Sequence, residues 1–389
     1  MKEIKLLDCT LREAPIGFIG DDNIRKFIGY LEKANIDIIE CAFLSTLYNT
    51  YHEGSTHFTH VEQIEKFLAN KKPNTIYTAC FNQSEFDYDS LPEYNGKSVD
   101  GLRFVLEKSK LNAAIQRIKE IKDKGYKIFV QHRDTIDYED YEILKVLEKI
   151  NNLQPYAYSI VDTYGSTYAE DLEHIISIVQ PNLSTDIRWG FHSHNNLTLA
   201  NANAQGFIRT ASKTHNIFID GSILGCGIGA GNAYTELLAQ YLNTKYQGQY
   251  KMGTLFDIID TLMPYFKSKC SWGYTMPNLI SGITGSVTTH ASCIHDNYHL
   301  SSKSLLDVMK GDMDDSKRKV CNNDFALRHY LDYCKKNNIV AIRREQEAVQ
   351  PKTIKSRIKR KAKKHFPLLF KVLSKTKSVI KKIRDDKIP

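Results

Sequence analysis

Eight apolar, β-branched-rich runs, a helical period in most of the segments between them, and polar residues where the runs end predict an α/β chain. The architecture they imply is a (β/α)8 TIM barrel carrying a C-terminal helical extension and a basic tail. The runs are IKLLDC (4 to 9), IDIIECAF (36 to 43), TIYTACF (75 to 81), GLRFVL (101 to 106), KIFVQH (127 to 132), AYSIVDT (157 to 163), IRWGFHSH (187 to 194) and IFIDGSIL (217 to 224). Between them, DNIRKFIGYLEKAN, LNAAIQRIKEIKDKG, YEDYEILKVLEKI, AEDLEHIISIVQ and LTLANANAQGFIRTA place apolar residues three and four apart, the spacing of a helix with one buried face. The link after the third run, QSEFDYDSLPEYNGKSVD, is the weakest helix. A doubly wound open sheet is the alternative that the same alternation allows.

The barrel is expected over residues 1–249, a helical extension over 250–345 and a basic amphipathic tail over 346–389. In the extension, MGTLFDIIDTLMPYF, SSKSLLDVMKG and NDFALRHYLDYCKKN read as helices. Between the first two lies SWGYTMPNLISGITGSVTTHASC, which mixes aromatics, glycines and His290. The extension is either a cap over the barrel mouth or a structural appendage.

The net charge of +8 hides two unlike parts, because residues 351–389 hold fifteen Lys or Arg against two Asp and leave the first 350 residues at −5. A mildly acidic body argues against a nucleic-acid-binding surface there, so an anionic partner would meet the tail. In the tail, Phe366, Leu369, Leu373, Ile380 and Ile383 fall near one helical face among lysines. Such a helix suits an anionic membrane surface, where each basic group contributes roughly 1 kcal/mol. A solvated or protein-binding tail is the plain alternative, and few aromatics are present to stack on bases. The eight scattered cysteines form no C-x-x-C pair and suit reduced thiols. The N-terminus lacks a secretory pattern, and no apolar run is long enough to span a bilayer. A cytoplasmic protein is expected, with peripheral contact at the inner membrane face through the tail.

In a barrel the chemistry sits at the C-terminal ends of the strands. His192 and His194 lie two apart on the seventh run, so they share a strand face and can bind one ion. Arg12 and Glu13 follow the first run, which neighbours the seventh and eighth if the barrel closes. One carboxylate and two imidazoles on a divalent ion leave open positions for a substrate. A 2-oxo acid could chelate there, with permanently cationic Arg12 holding the enolate charge. After the eighth run, GCGIGAGN (225 to 232) offers backbone freedom for close approach to a ligand, although a plain strand-to-helix turn explains it equally well.

DCTLRE (8 to 13), IDIIECAF, VDTYGS (161 to 166), HSHNNLTLANANA (192 to 204) and GCGIGAGNAYTE (225 to 236) together resemble the DRE-TIM metallolyases of the hydroxymethylglutaryl-CoA lyase type. Within that family the 4-hydroxy-2-oxovalerate aldolases are the most similar branch, over residues 3–245. The resemblance implies a Mn or Mg ion on Glu13, His192 and His194, joined in some lyases by Asn232, with Arg12 as the enolate-stabilising residue. Asp8, Thr163, Gly227 and Gly229 are the expected substrate-binding positions. It further implies a 2-oxo acid and an aldehyde as small-molecule partners, and a homo-oligomer. Glu13 replaces the aspartate usual in the aldolases, and Ile16 stands where they carry an acid-base histidine. His57, His60, Tyr274 and His290 are the weak substitutes for that group. Two rivals follow: a Claisen-type acyltransferase like isopropylmalate or homocitrate synthase, towards which Glu13 leans, and a non-catalytic membrane-tethered scaffold.

Overall fold

The computed structural model describes residues 2–13, 19–46, 53–311 and 318–344. The expected tail, 346–389, lies outside them, as does Ile16. Eight parallel strands close into a barrel: β1 (Ile4–Asp8), β2 (Ile38–Leu44), β3 (Ile76–Asn82), β4 (Gly101–Leu106), β5 (Lys127–His132), β6 (Ala157–Asp162), β7 (Arg188–Ser193) and β8 (Ile217–Gly221). Each strand pairs with its neighbours in sequence, and β1 pairs with both β8 and β2. That last pairing, Leu7 opposite Ile38, rules out the open doubly wound sheet. A two-residue strand, His57–Phe58, adds to the upper end of β2.

Alternation along the strands sorts side chains into two cores. Leu7, Cys9, Ile38, Phe129, Ala157 and Phe218 meet inside the lower barrel, while Leu6, Ile39, Tyr158, Trp189 and Ile219 face the helices. Six helices clothe the barrel: α1 (Asp21–Lys33), α2 (Leu111–Asp123), α3 (Asp140–Leu153), α4 (Ala169–Asn182), α5 (Ala200–Ala211) and α6 (Thr235–Tyr246). In α3, for example, Ile143, Val146, Leu147 and Ile150 are buried at the expected spacing. Among the described residues, the links after β2 and β3 hold 3-10 turns, Val61–Phe67 and Tyr88–Ser90, in place of an α-helix. After β3, Pro92 and Gly96 oppose a helix, and aromatic packing covers the strands instead. Phe81 meets Phe86 at 4.9 Å and Phe104 at 5.4 Å between ring centroids.

Gly190 marks how tightly the interior is filled. A Cβ there would overlap the Phe218 ring and the Ser159 hydroxyl. Gly190→Ala is therefore expected to destabilise the barrel by about 1–3 kcal/mol in denaturant unfolding; an unchanged midpoint would mean that the interior is looser than described.

The extension supplies α7 (Met252–Thr261), α8 (Met263–Lys267), α9 (Met276–Thr284), α10 (Thr288–Asn297), α11 (Ser302–Lys310) and α12 (Asn323–Lys336). Thus the glycine- and aromatic-containing stretch before residue 293 holds a helix and part of another. Leu255, Ile258, Leu262, Met263 and Phe266 join the barrel's outer core, while α9 to α12 form an apolar cluster of their own. Barrel and extension lie in one compact unit, Met1–Ile342. Among the described residues, no helix is long and apolar enough to cross a membrane.

Candidate metal and substrate site

One turn of helix, Thr10–Glu13, follows β1 directly and carries Arg12 and Glu13 over the barrel mouth. Asp8 fixes that turn from beneath. Its carboxylate accepts hydrogen bonds from the Thr10 backbone N–H and hydroxyl, both 3.0 Å, and from the Thr235 hydroxyl at the start of α6, 2.6 Å. Two roles were open to Asp8, substrate contact and orientation of the arginine loop; Leu7 and Cys9 point inward, so Asp8 between them points to the helix layer and holds the loop. Burial there raises its pKa to about 7.

At the other side of the mouth, β7 ends in the histidine pair. His192 Nδ1 lies 2.8 Å from Asp220 Oδ2 on β8, and His194 Nδ1 lies 2.8 Å from the backbone carbonyl of Asp162 on β6. With both Nδ1 atoms engaged, each ring keeps its Nε2 for a ligand. Ligand atoms of Glu13, His192 and His194 fall within 4.8 Å of one another, the one group of this kind found among the described residues. Asn232 sits against them, pinned by the glycine turn: its amide donates to the Cys226 carbonyl, 2.9 Å, and the His194 and Asn232 backbones form an antiparallel bridge. Its buried Oδ1 has no hydrogen-bond partner among the described residues. An orphaned oxygen beside a carboxylate and two Nε2 atoms is a donor set that fits a divalent ion.

The electrostatics agree. Burial raises the Glu13 pKa, but Arg12, His194 and His192 outweigh it and hold the group below its ordinary value. Burial lowers both histidines, so neutral imidazoles are favoured. Metal binding needs neutral rings, and acid displaces the ion by protonating them. The midpoint of Mn release on acidification is accordingly expected below the ordinary imidazole value of 6.5, as followed by the EPR signal of free Mn; release centred above 6.5 would contradict these surroundings.

Beneath the mouth lies a buried ionic chain that sequence reasoning missed. Arg12 ion-pairs with Glu13 and donates through Nε to Glu40 Oε2 at 2.9 Å. Arg103, 1% exposed at its side chain, donates to the same Glu40 oxygen at 3.0 Å, to Gln131 Oε1 at 2.8 Å, and to Asp220. A register shift between Glu40 and Ala42 marks a bulge at this point of β2. The ends of the chain are the Arg12 guanidinium and the His192 ring. The signal available in the sequence was a lone charge inside an apolar strand, Arg103 in GLRFVL and Asp220 in IFIDGS, at positions two residues from other inward-facing side chains.

The glycines of the turn serve close approach. A Cβ on Gly227 would overlap the Asn232 amide and lie 3.2 Å from Glu13 Oε2; one on Gly229, where φ is +69°, would overlap Thr288 of α10. The extension grips the same turn through Trp272 Nε1, which donates to the Leu224 carbonyl at 2.7 Å, and the Gly273 N–H, which donates to the Gly229 carbonyl at 3.1 Å.

Arg12, His192, His194 and Thr163 border a cavity of about 470 Å³, which Val287, Thr288, Thr289 and Lys319 of the extension also line. Glu13, Gly227 and Gly229 line a second of about 700 Å³, whose other lining residues come mainly from the extension and include Trp272 and Asn278. Both cavities share Ile228, Thr288 and Thr289. The extension therefore contributes walls at the barrel mouth. None of the four substitutes for the missing acid-base histidine borders either cavity. His290 is fully buried within the extension and accepts the Asn322 N–H at 3.2 Å, Tyr274 is exposed, and His57 and His60 belong to the outer strand and its turn. His132, at the end of β5, contacts Tyr158 at 2.6 Å in the helix layer, and burial lowers its pKa to about 3.

Residues 97–262 match the HMGL-like family. An oxaloacetate decarboxylase of Mycobacterium tuberculosis is 24% identical over 63% of this chain and 71% of its own. A 4-hydroxy-2-oxovalerate aldolase of Carboxydothermus hydrogenoformans is 24% identical over 78% of this chain and 91% of its own. Among solved structures, the carboxyl transferase domain of Rhizobium etli pyruvate carboxylase with pyruvate superposes with a TM-score of 0.61 at 11% identity, covering 87% of this chain and 61% of that one. That likeness establishes the barrel fold.

Proposed function

We propose that this chain, which belongs to the HMGL-like family, is a divalent-metal-dependent aldolase that makes or breaks a carbon-carbon bond beside the enolate of a pyruvate-type 2-oxo acid. The observation that carries the reading is the convergence of Glu13, His192 and His194 within 4.8 Å, next to Arg12, at a cavity mouth. Glu13 and the two histidines, with Asn232 beside them, would hold Mn or Mg. When bound, the ion supplies Lewis acidity to the ketone of the 2-oxo acid.

The chain's own residues supply orientation and charge. Asp220 and the Asp162 carbonyl fix the histidine rings, so Nε2 faces the ligand side in each. Glu40 holds the Arg12 guanidinium against the cavity. A fixed cation there stabilises the negative charge that develops on the enolate oxygen without having to reorganise. Val287, Thr288, Thr289 and Lys319 of the extension form part of the wall around that charge. The names of the two relatives describe bond breakings that each leave such an enolate, by aldol cleavage or by loss of carboxylate. Oxaloacetate decarboxylation is therefore the second reading, and it uses the same residues.

The test is exchange of the pyruvate methyl hydrogens with solvent deuterium, followed by NMR in Mn-loaded protein. Exchange that needs metal and vanishes in Glu13→Ala and His192→Ala supports the reading. Metal-loaded protein that exchanges nothing sinks the pyruvate enolate.

A further inference from the structure

From the cavity beside the metal group we infer that the electrophile joined to the enolate is a polyhydroxylated, sugar-like aldehyde and not a short alkyl aldehyde. The inference rests on the enolate reading above. A cavity of about 470 Å³ is in the range that holds a drug-sized molecule, far more than a three-carbon acid and a two-carbon aldehyde need. Beside the apolar Val105, Val161, Ile228, Val287 and Val320, its walls carry hydrogen-bonding groups of both kinds: Asn82 at the end of β3 and Glu85 after it, Glu107 after β4, Arg133 after β5, Thr163 after β6, and Lys319 from the extension. An alkyl chain would strip water from these groups and return no hydrogen bonds.

The pairing of the wall charges disfavours a simple anionic acceptor. Arg133 donates to Asp134 at 3.0 Å, and Lys319 pairs with Asp137 at 2.8 Å, so both cations already have carboxylate partners. Glu85, and Glu107 beyond its pairing with Lys110, offer acceptor oxygens to hydroxyl groups. Glu107 is held in place by the Ser84 hydroxyl at 3.0 Å and Lys110 at 2.7 Å, and Glu85 by the Asn82 amide at 3.0 Å. Neutral hydroxyls, which both donate and accept, satisfy this mixture. In the condensation the methyl carbon of the 2-oxo acid loses a proton, its electron pair bonds to the aldehyde carbon, and the aldehyde oxygen takes up a proton. Nothing is oxidised or reduced, and the reverse step restores both fragments.

The experiment compares D-erythrose with butanal, both four-carbon aldehydes, as partners for pyruvate in the full-length Mn-loaded protein. Product formation is read by mass spectrometry and aldehyde binding by saturation-transfer NMR. The expected kcat/KM is roughly 100-fold or more higher for the hydroxylated aldehyde, since sites built to hydrogen-bond hydroxyls reject analogues that lack them. In Glu107→Leu that ratio is expected to fall at least tenfold. The ratio is insensitive to partial misfolding, which lowers both rates alike. Equal rates for the two aldehydes, or a preference for butanal, overturn the inference while methyl-hydrogen exchange in the same sample leaves the aldolase reading standing. Loss of exchange itself removes both.

Discussion

Arg12→Ala is expected to lower kcat for enolate formation by about 10²–10³, the usual cost of removing one fixed group that stabilises an oxyanion. The guanidinium borders the cavity together with both histidines and is oriented by Glu40, so it acts on charge that appears only during reaction. Burial works against its charge, but Glu13 and Glu40 outweigh burial and raise its pKa further. It therefore stays cationic throughout the working pH range. The measurement is the metal-saturated rate of methyl-hydrogen exchange, with Mn affinity determined separately. A rate within threefold of the parent would remove Arg12 from the chemistry. A lost Mn affinity with a normal rate at saturation would make it a support for Glu13 instead.

The second large effect concerns stability. Arg103 is the cation between Glu40 and Asp220, and all three are essentially sealed from solvent. Arg103→Met keeps most of the volume and leaves two buried carboxylates short of a partner, which is expected to cost about 3–5 kcal/mol in chemical unfolding. Asp220 also orients His192, so the same substitution is expected to weaken Mn binding. Outer partners of metal ligands typically contribute 10- to 100-fold in affinity. Unfolding within 1 kcal/mol of the parent would show that Arg12 and the hydrogen bond between His192 and Asp220 are enough to hold the two carboxylates.

The barrel was legible because parallel strands buried on both faces leave near-continuous apolar runs, and all eight runs became strands. Periodicity also found five of the six barrel helices, α1 to α5. It had no purchase after β2 and β3, where aromatic packing and 3-10 turns replace a helix. The histidine pair and Arg12–Glu13 were visible because alternation on a strand and proximity across a closed barrel follow from simple geometry. Asp8 was legible as the residue that orients the arginine loop but not as a substrate contact, because its parity turns it towards α6. Arg103, Asp220 and the wall residues of the extension depend on contacts between distant segments, such as Arg103 to Asp220 across 117 residues, and no local pattern announces them. The missing acid-base histidine also belongs here. The four residues offered in its place were chosen by type, and none of them lines either cavity.

Pulsed EPR of the Mn-loaded protein tests the central claim most directly, because it counts imidazole nitrogens on the ion without relying on turnover. Two nitrogen couplings are predicted in the parent protein, one in His192→Ala and one in His194→Ala, with Mn affinity sharply reduced in Glu13→Ala. Absence of nitrogen coupling, or a spectrum that the histidine substitutions leave unchanged, would contradict a metal centre built on Glu13, His192 and His194.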